Sequence, residues 1–286
     1  MEKLKGTGVA LVTPFDQQGN IDYSGLTNLL DYTAKGVDYY VVQGTTGESA
    51  TTSADEKKDI LRHVKANNKS ALPIVYGLGG NNTLAVIDTI NSTDFEGVDA
   101  ILSVSPYYNK PSQNGIIAHF SKIADESPVP VILYNVPGRT SSNLSAGTTI
   151  ELSKHPNIIG VKEASGNVEQ AMTIHQGTSD DFLLISGDDL LTPALIAVGA
   201  VGVISVLANG FPEIFRKMID TAFKKDHTTS AKIISELAEL NPLMYEESNP
   251  VGIKEVLKLQ GICNHYVRMP LLPATKDLSD RIKALL

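Results

Sequence analysis

The chain alternates eight times between a short apolar run and a longer polar-apolar segment. The apolar runs are 8–12, 37–42, 73–77, 100–104, 129–133, 158–161, 182–185 and 202–206. Segments with helical periodicity lie between them, among them 23–35, 53–67, 84–96, 113–125 and 190–198. Continuous apolar runs are typical of parallel strands whose outer face is covered by helices. Eight such units favour an α/β fold, a closed (β/α)₈ TIM barrel, over an open doubly wound sheet.

The pattern becomes mainly helical after Phe223, with segments at 230–240, 250–260 and 275–286. No Gly/Ser-rich linker precedes this part, so we expect it to pack on the barrel. The sequence therefore predicts a catalytic barrel over residues 1–224 and a C-terminal helical extension over residues 225–286.

Charge and cysteine content exclude several function classes. Lys and Arg total 24 against 32 Asp and Glu, and the net charge of -8 disfavours binding to nucleic acid or to anionic membranes. Cys263 is the only cysteine, which excludes an intramolecular disulfide framework and fits a reducing compartment. The sequence shows neither an apolar signal segment nor a membrane-spanning stretch. We therefore expect a soluble, cytoplasmic protein.

Polar residues cluster where the predicted strands end. These clusters are 44–48 after the second run, 105–108 after the fourth, 134–139 after the fifth, 162–163 after the sixth and 186–189 after the seventh. The carboxyl ends of the strands form the catalytic face of a β/α barrel. The sequence therefore predicts one polar site at this face.

Lys162 is the sharpest single candidate, because it follows the apolar run Ile158–Val161 and would place an amine at the mouth of an apolar barrel. Such surroundings favour the neutral amine, a nucleophile towards carbonyl groups. A structural lysine paired with Glu163 is equally compatible with this position. Tyr134 also ends a buried-looking run and could exchange protons beside the lysine, although many buried tyrosines only bond a backbone carbonyl.

The glycines at 44 and 47 allow a tight loop in which Thr45 and Thr46 could bind a carboxylate, and a plain turn is equally plausible. The loop lacks the ending of a nucleotide-binding P-loop. Arg139 follows the fifth run, where a guanidinium could hold a substrate carboxylate in bidentate fashion.

The six histidines show no metal-ligand spacing, so no metal site is predicted. The Asp188–Asp189 pair could bind a cation, but a helix cap or a hydrogen-bond network is the commoner role of such a pair.

Three motifs together resemble the superfamily of pyruvate-dependent Schiff-base lyases and synthases: Gly44–Ser49, Tyr134–Pro137 and Gly160–Ala164. Within that superfamily, three further motifs resemble the dihydrodipicolinate synthase family: Pro106–Pro111, Gly138–Thr140 and Ser186–Asp189. The similarity runs from about Gly8 to Pro212 and continues weakly through Asn249–Pro250.

The resemblance implies an imine between Lys162 and pyruvate, whose enamine attacks the aldehyde of L-aspartate 4-semialdehyde. The product would be 4-hydroxy-tetrahydrodipicolinate, an intermediate on the route to lysine and diaminopimelate. No metal or organic cofactor is implied, because the lysine supplies the electron sink. The implied assembly is a homo-oligomer, with a tetramer favoured.

The same resemblance assigns roles to the other site residues. Thr45, Tyr134 and Tyr108 would relay protons, with Tyr108 contributed by a neighbouring subunit. The remaining residues would bind substrate: Thr46, Gly187 and the backbone of Ile204 for pyruvate, and Arg139 for the semialdehyde carboxylate.

One stretch departs from the lysine-inhibited members of the family. Those members carry histidine or acidic residues around an effector site at a subunit interface, where this chain has Ala54, Lys57 and Ala85. Loss of a carboxylate partner for the effector's ammonium predicts little or no inhibition by lysine.

Two alternatives remain open. A sibling aldolase for N-acetylneuraminate or a 2-keto-3-deoxy sugar acid would keep Lys162 and Tyr134, and Arg139 argues for a short substrate that ends in a carboxylate. A non-catalytic barrel that binds keto acids would be expected to have lost Lys162, Tyr134 or Thr45.

Overall fold

A computed structural model describes residues 1–286, and its eight parallel strands close into a barrel in chain order. The strands are β1 Gly6–Ala10, β2 Tyr39–Val42, β3 Ile74–Gly77, β4 Ala100–Val104, β5 Val131–Asn135, β6 Ile158–Glu163, β7 Leu183–Ser186 and β8 Gly202–Ser205. Because β8 pairs with β1, the predicted barrel is confirmed and an open sheet is excluded.

Thirteen helices follow or connect the strands. They are α1 Tyr23–Thr33, α2 Ala54–Asn67, α3 Thr83–Asn91, α4 Gln113–Glu126, α5 Pro137–Thr140, α6 Ala146–Leu152, α7 Val168–Gly177, α8 Thr192–Ala197, α9 Pro212–Phe223, α10 His227–Ser235, α11 Leu243–Glu246, α12 Val251–Leu259 and α13 Lys276–Ala284.

Polar side chains set the ends of these helices. Helix α2 begins with a capping box, in which the Ser53 hydroxyl accepts from the Glu56 amide and the Glu56 carboxylate accepts from the Ser53 amide. Helix α3 ends earlier than the predicted residue 96. There Thr93 donates its hydroxyl to the Thr89 carbonyl, and such side-chain bonds compete with helical ones.

The core has two apolar layers, and alternation along each strand assigns residues to them. On β5, Val131 and Leu133 point outwards to the helices, whereas Ile132 and Tyr134 point into the barrel. The inner layer also contains Val41, Val75, Leu183, Ile185 and Ile204. The alternation of side chains along each strand therefore determines which of them point into the barrel.

The helices after Phe223 bury residues in the same apolar cluster as the outer layer of the barrel. Val251, Ile253, Val256 and Leu257 of α12 belong to that cluster. The boundary at residue 224 stays a prediction. Among all the helices, none has the length and apolar character needed to cross a membrane.

Candidate active site

Lys162 lies on β6 and points into the barrel, opposite Tyr134 on β5. Its side chain forms no ion pair and no hydrogen bond, although only 5% of the residue is exposed. Its Nζ lies 4.5 Å from the centre of the Tyr134 ring. The structure thus places an amine and a phenol side by side without a carboxylate between them.

The neighbouring Glu163 does not pair with Lys162, because adjacent residues of a strand point to opposite faces. Its carboxylate accepts from the amide of Asn135 at 3.0 and 3.1 Å, from the Ser165 backbone at 2.7 Å and from Gln170 at 2.9 Å. These bonds satisfy Glu163 within the outer layer. The structure therefore excludes the alternative in which Lys162 is paired with Glu163.

Lys162 borders a cavity of about 180 Å³ at the carboxyl ends of the strands. Six of the eight residues predicted for the site line this cavity: Lys162, Tyr134, Thr45, Thr46, Arg139 and Gly187. They come from β5, β6 and the loops that follow β2, β5 and β7. Closure of the barrel is what brings these separate segments together.

Gly187 is a close-packing position beside the lysine. A Cβ at residue 187 would lie 2.5 Å from the Ala164 Cβ and 3.1 Å from the Lys162 Cε. Any side chain there would displace Lys162 or its neighbour. Ile204 does not line the cavity, since its side chain is buried in the inner layer, and Val206 lines it instead.

Tyr108 lies away from this cavity. It is 88% exposed and has a positive φ of 72°, which is uncommon for a residue other than glycine. The preceding residue, Tyr107, is 43% exposed. A single chain therefore does not bring Tyr108 to Lys162.

Arg139 follows β5 on the short helix α5, and it is exposed. Its guanidinium forms no ion pair and no hydrogen bond within the chain, although it borders the cavity. A free planar guanidinium at a cavity edge suits a carboxylate ligand.

Sequence reasoning missed three residues of the C-terminal extension that line the cavity: Asn241, Tyr245 and Asn249. Asn249 donates its amide to the Thr46 hydroxyl at 3.0 Å. The weak resemblance around Asn249–Pro250 was the one signal in this region, and nothing in the periodicity of the extension marks the other two.

The acidic pair after β7 takes part in hydrogen bonds to backbone amides. Asp188 accepts from the Leu191 amide at 3.1 Å, and Asp189 accepts from Val206 at 3.2 Å and Leu207 at 2.8 Å. Burial raises the pKa of Asp189 to about 6, and the Leu207 amide opposes this shift. Asp189 therefore orders the loop after β8, where Val206 lines the cavity.

A family model described as the dihydrodipicolinate synthetase family matches residues 3–286. The chain belongs to this family. The family predicted from the sequence motifs is thereby confirmed.

The chain is similar to several named relatives. It is 51% identical over 284 residues to a protein of Cytophaga hutchinsonii named 4-hydroxy-tetrahydrodipicolinate synthase, a match that covers 99% of this chain and 96% of the relative. A dihydrodipicolinate synthase of Acinetobacter baumannii, solved in complex with pyruvate, matches with a TM-score of 0.95 and 34% identity. That match covers 99% of this chain and 97% of the other.

A third relative is the enzyme of Cyanidioschyzon merolae, solved with lysine bound. It matches with a TM-score of 0.95 and 37% identity, over 99% of this chain and 97% of the other. The fold, its barrel and its additional helices are thus those of solved members of the family.

Proposed function

We propose that this chain is a 4-hydroxy-tetrahydrodipicolinate synthase, which condenses pyruvate with L-aspartate 4-semialdehyde through an imine on Lys162. The observation that carries the proposal is the amine itself: it is buried, free of any carboxylate partner and 4.5 Å from the centre of the Tyr134 ring. An amine held this way can attack a carbonyl without first losing an ion pair.

The first step joins the Lys162 nitrogen to the keto carbon of pyruvate and releases water. The Thr46 hydroxyl and the chain around Gly187 border the same cavity, and we assign them to pyruvate, together with the backbone of Ile204. Loss of a methyl proton then turns the imine into an enamine, whose carbon attacks the aldehyde carbon of the second substrate.

The second substrate carries a carboxylate, which we assign to the free guanidinium of Arg139. Addition of the enamine converts the aldehyde oxygen into a hydroxyl. The amino group of the substrate then attacks the imine carbon, closes the ring and releases Lys162. Each step moves protons, and we assign this transfer to Tyr134 and Thr45, which line the cavity.

Tyr108 completes the proposed relay from a neighbouring subunit. Its 88% exposure and its distance from the cavity of its own chain support this assignment, because an exposed aromatic residue is available to a second copy. We therefore propose a homo-oligomer, a tetramer by family resemblance, as the active form. The cytoplasmic location stays a prediction.

Borohydride reduction in the presence of pyruvate tests the proposal. The expected result is one covalent adduct per chain, mapped by peptide mass to Lys162 and absent in Lys162→Ala, together with turnover of aspartate semialdehyde. The other buried lysine, Lys254, is the internal control and should remain unmodified. An adduct without turnover would indicate a sibling aldolase, and no adduct would refute the Schiff-base mechanism.

A further inference from the structure

The loop that carries Thr45 and Thr46 lies between two residues with left-handed backbone. Gln43 has a φ of 60° and Glu48 a φ of 54°, and neither is glycine. Such backbone persists only where the surrounding structure holds it in place. Each end of this loop must therefore have its own anchor.

The barrel itself anchors the first end. Gln43 donates its side-chain amide to the Thr13 hydroxyl at 3.0 Å and accepts from the Thr52 hydroxyl at 2.7 Å. All three residues are buried; Thr13 follows β1, Gln43 follows β2 and Thr52 precedes α2. This anchor does not involve the C-terminal extension.

The C-terminal extension anchors the second end through a buried ion pair. Lys254 of α12 donates to the Glu48 carboxylate at 2.5 Å, and the Arg268 amide donates to the other carboxylate oxygen at 2.9 Å. The Lys254 side chain is fully buried and also donates to the Tyr266 carbonyl at 2.7 Å. Both charges of the pair are therefore compensated inside the protein.

The extension reaches the loop a second time at its centre. Asn249, two residues before α12, donates to the Thr46 hydroxyl. Neither Lys254 nor Glu48 lines the cavity around Lys162. The pair thus contacts the loop from outside that cavity, and Glu48 lines an adjoining cavity together with Thr45 and Arg139.

We propose that the Lys254–Glu48 ion pair is a positioning device, through which the C-terminal extension holds the Thr45 and Thr46 hydroxyls in their working places relative to Lys162. The inference rests on the proposed function. Small displacements of positioning groups lower the rate of a reaction even when every catalytic group is still present. Both residues act through the loop, and they are positioning residues rather than catalytic ones.

The test compares Lys254→Met with Lys258→Met. Lys258 lies one turn further along α12, and its partly exposed ammonium pairs with Glu255 at 3.0 Å. Two quantities are measured: kcat per active site, with sites counted by trapped pyruvate, and the hydrogen-exchange rates of the amides of residues 44–49. Lys254→Met should lower kcat and accelerate exchange by about tenfold or more, while Lys258→Met should change both by less than about twofold.

The double variant Glu48→Gln/Lys254→Met covers the case in which Lys254→Met fails to fold, because it leaves no unpaired charge in the interior. It should fold and show the same slower turnover and faster loop exchange. If the amides of residues 44–49 exchange no faster in a folded variant than in the Lys258→Met control, the inference is wrong. Failure of the proposed function is a separate result: the unmodified chain would trap no pyruvate, and the exchange rates would still decide the role of the ion pair.

Discussion

Two lysines are buried in this molecule, and they have opposite surroundings. Lys162 points into the barrel cavity, faces the Tyr134 ring and has no charged partner. Lys254 lies in the extension and is bound by the Glu48 carboxylate and a backbone carbonyl. The two residues are almost equally buried, at 5% and 0% exposure, so burial does not separate them. Burial alone therefore does not identify a candidate nucleophile; the absence of a hydrogen-bonding or charged partner separates Lys162 from Lys254.

The largest expected effect on stability separates the two lysines directly. Lys254→Met should lower the free energy of unfolding by about 3–5 kcal/mol, because the buried Glu48 carboxyl group would lose its main partner. Lys162→Met should leave it unchanged or raise it by up to about 1 kcal/mol, since removal of an unpaired buried amine often relieves strain built in for function. Urea unfolding at a fixed protein concentration measures both.

If Lys254→Met and Lys162→Met lowered the free energy of unfolding equally, the comparison would be wrong, because Lys162 would then also contribute to stability through a partner. The double variant Glu48→Gln/Lys254→Met is the control for the charge effect. It should recover part of the stability lost in Lys254→Met.

The next effect concerns Tyr134, whose ring the Lys162 amine faces. Tyr134→Phe keeps the ring and removes only the hydroxyl, so it should preserve the fold and lower kcat by about a hundredfold, as for a lost acid-base group. The matched control is Tyr40→Phe. The Tyr40 hydroxyl donates to the Leu30 carbonyl at 2.9 Å, away from the cavity around Lys162, and its removal should leave kcat unchanged. If Tyr134→Phe had the same kcat as the unmodified chain, Tyr134 would have no role in the mechanism.

His119 extends the comparison to a buried base outside the barrel. It lies on α4, with Nδ1 at 2.8 Å from the hydroxyl of Thr83 on α3, and burial lowers its pKa to about 4 from 6.5. As the pH falls, the unfolded chain takes up a proton before the folded one does. The contribution of His119 to stability is therefore complete above about pH 6.5 and declines towards pH 4.

The expected loss between pH 8 and pH 5 is about 2 kcal/mol. His119→Gln should show a correspondingly flatter dependence of unfolding free energy on pH. The exposed His175 supplies the control, since His175→Gln should keep the steeper dependence. Parallel pH curves for the unmodified chain and His119→Gln would refute the assignment.

The smallest expected effect is the response to free lysine. Lys57 is the only charged residue lining a cavity of about 280 Å³ that also contains Ala85, Asn81 and Tyr107. The ammonium of an effector would meet a cation there and no carboxylate. Sub-millimolar L-lysine should therefore leave the initial rate unchanged, and clear inhibition at that concentration would overturn this prediction. Ala85→Glu, which supplies a carboxylate, is the variant expected to gain sensitivity.

Much of the fold follows from local patterns. The eight apolar runs match the eight strands within a few residues, because each run records burial of a short extended segment on both faces. Two predicted helices extend about five residues too far, since α3 ends at Asn91 and α10 ends at Ser235 rather than at residue 240. At α3, Thr89 and Thr93 fit the helical period while their hydroxyls bond to backbone carbonyls.

The candidate site was predicted in part. Six of its residues follow predicted strands, and strands of a barrel end at one face, so their nearness could be inferred from position along the chain. Asn241, Tyr245 and Asn249 could not, because they come from an extension whose docking site on the barrel is set by packing between distant segments. Tyr108 is the converse case: its motif is clear, and a single chain leaves it exposed.

The amino-acid pattern was sufficient to predict the barrel, the face that carries the candidate site and Lys162 as the residue to test. It could not distinguish a free Lys162 from one paired with Glu163. The structure does, because side chains alternate along β6 and these two point to opposite faces of the strand. Nor could the pattern show that Glu48 meets Lys254, which is 206 residues away in the chain. Periodicity reports the environment of each residue, whereas contacts between distant segments exist only after the whole chain has packed.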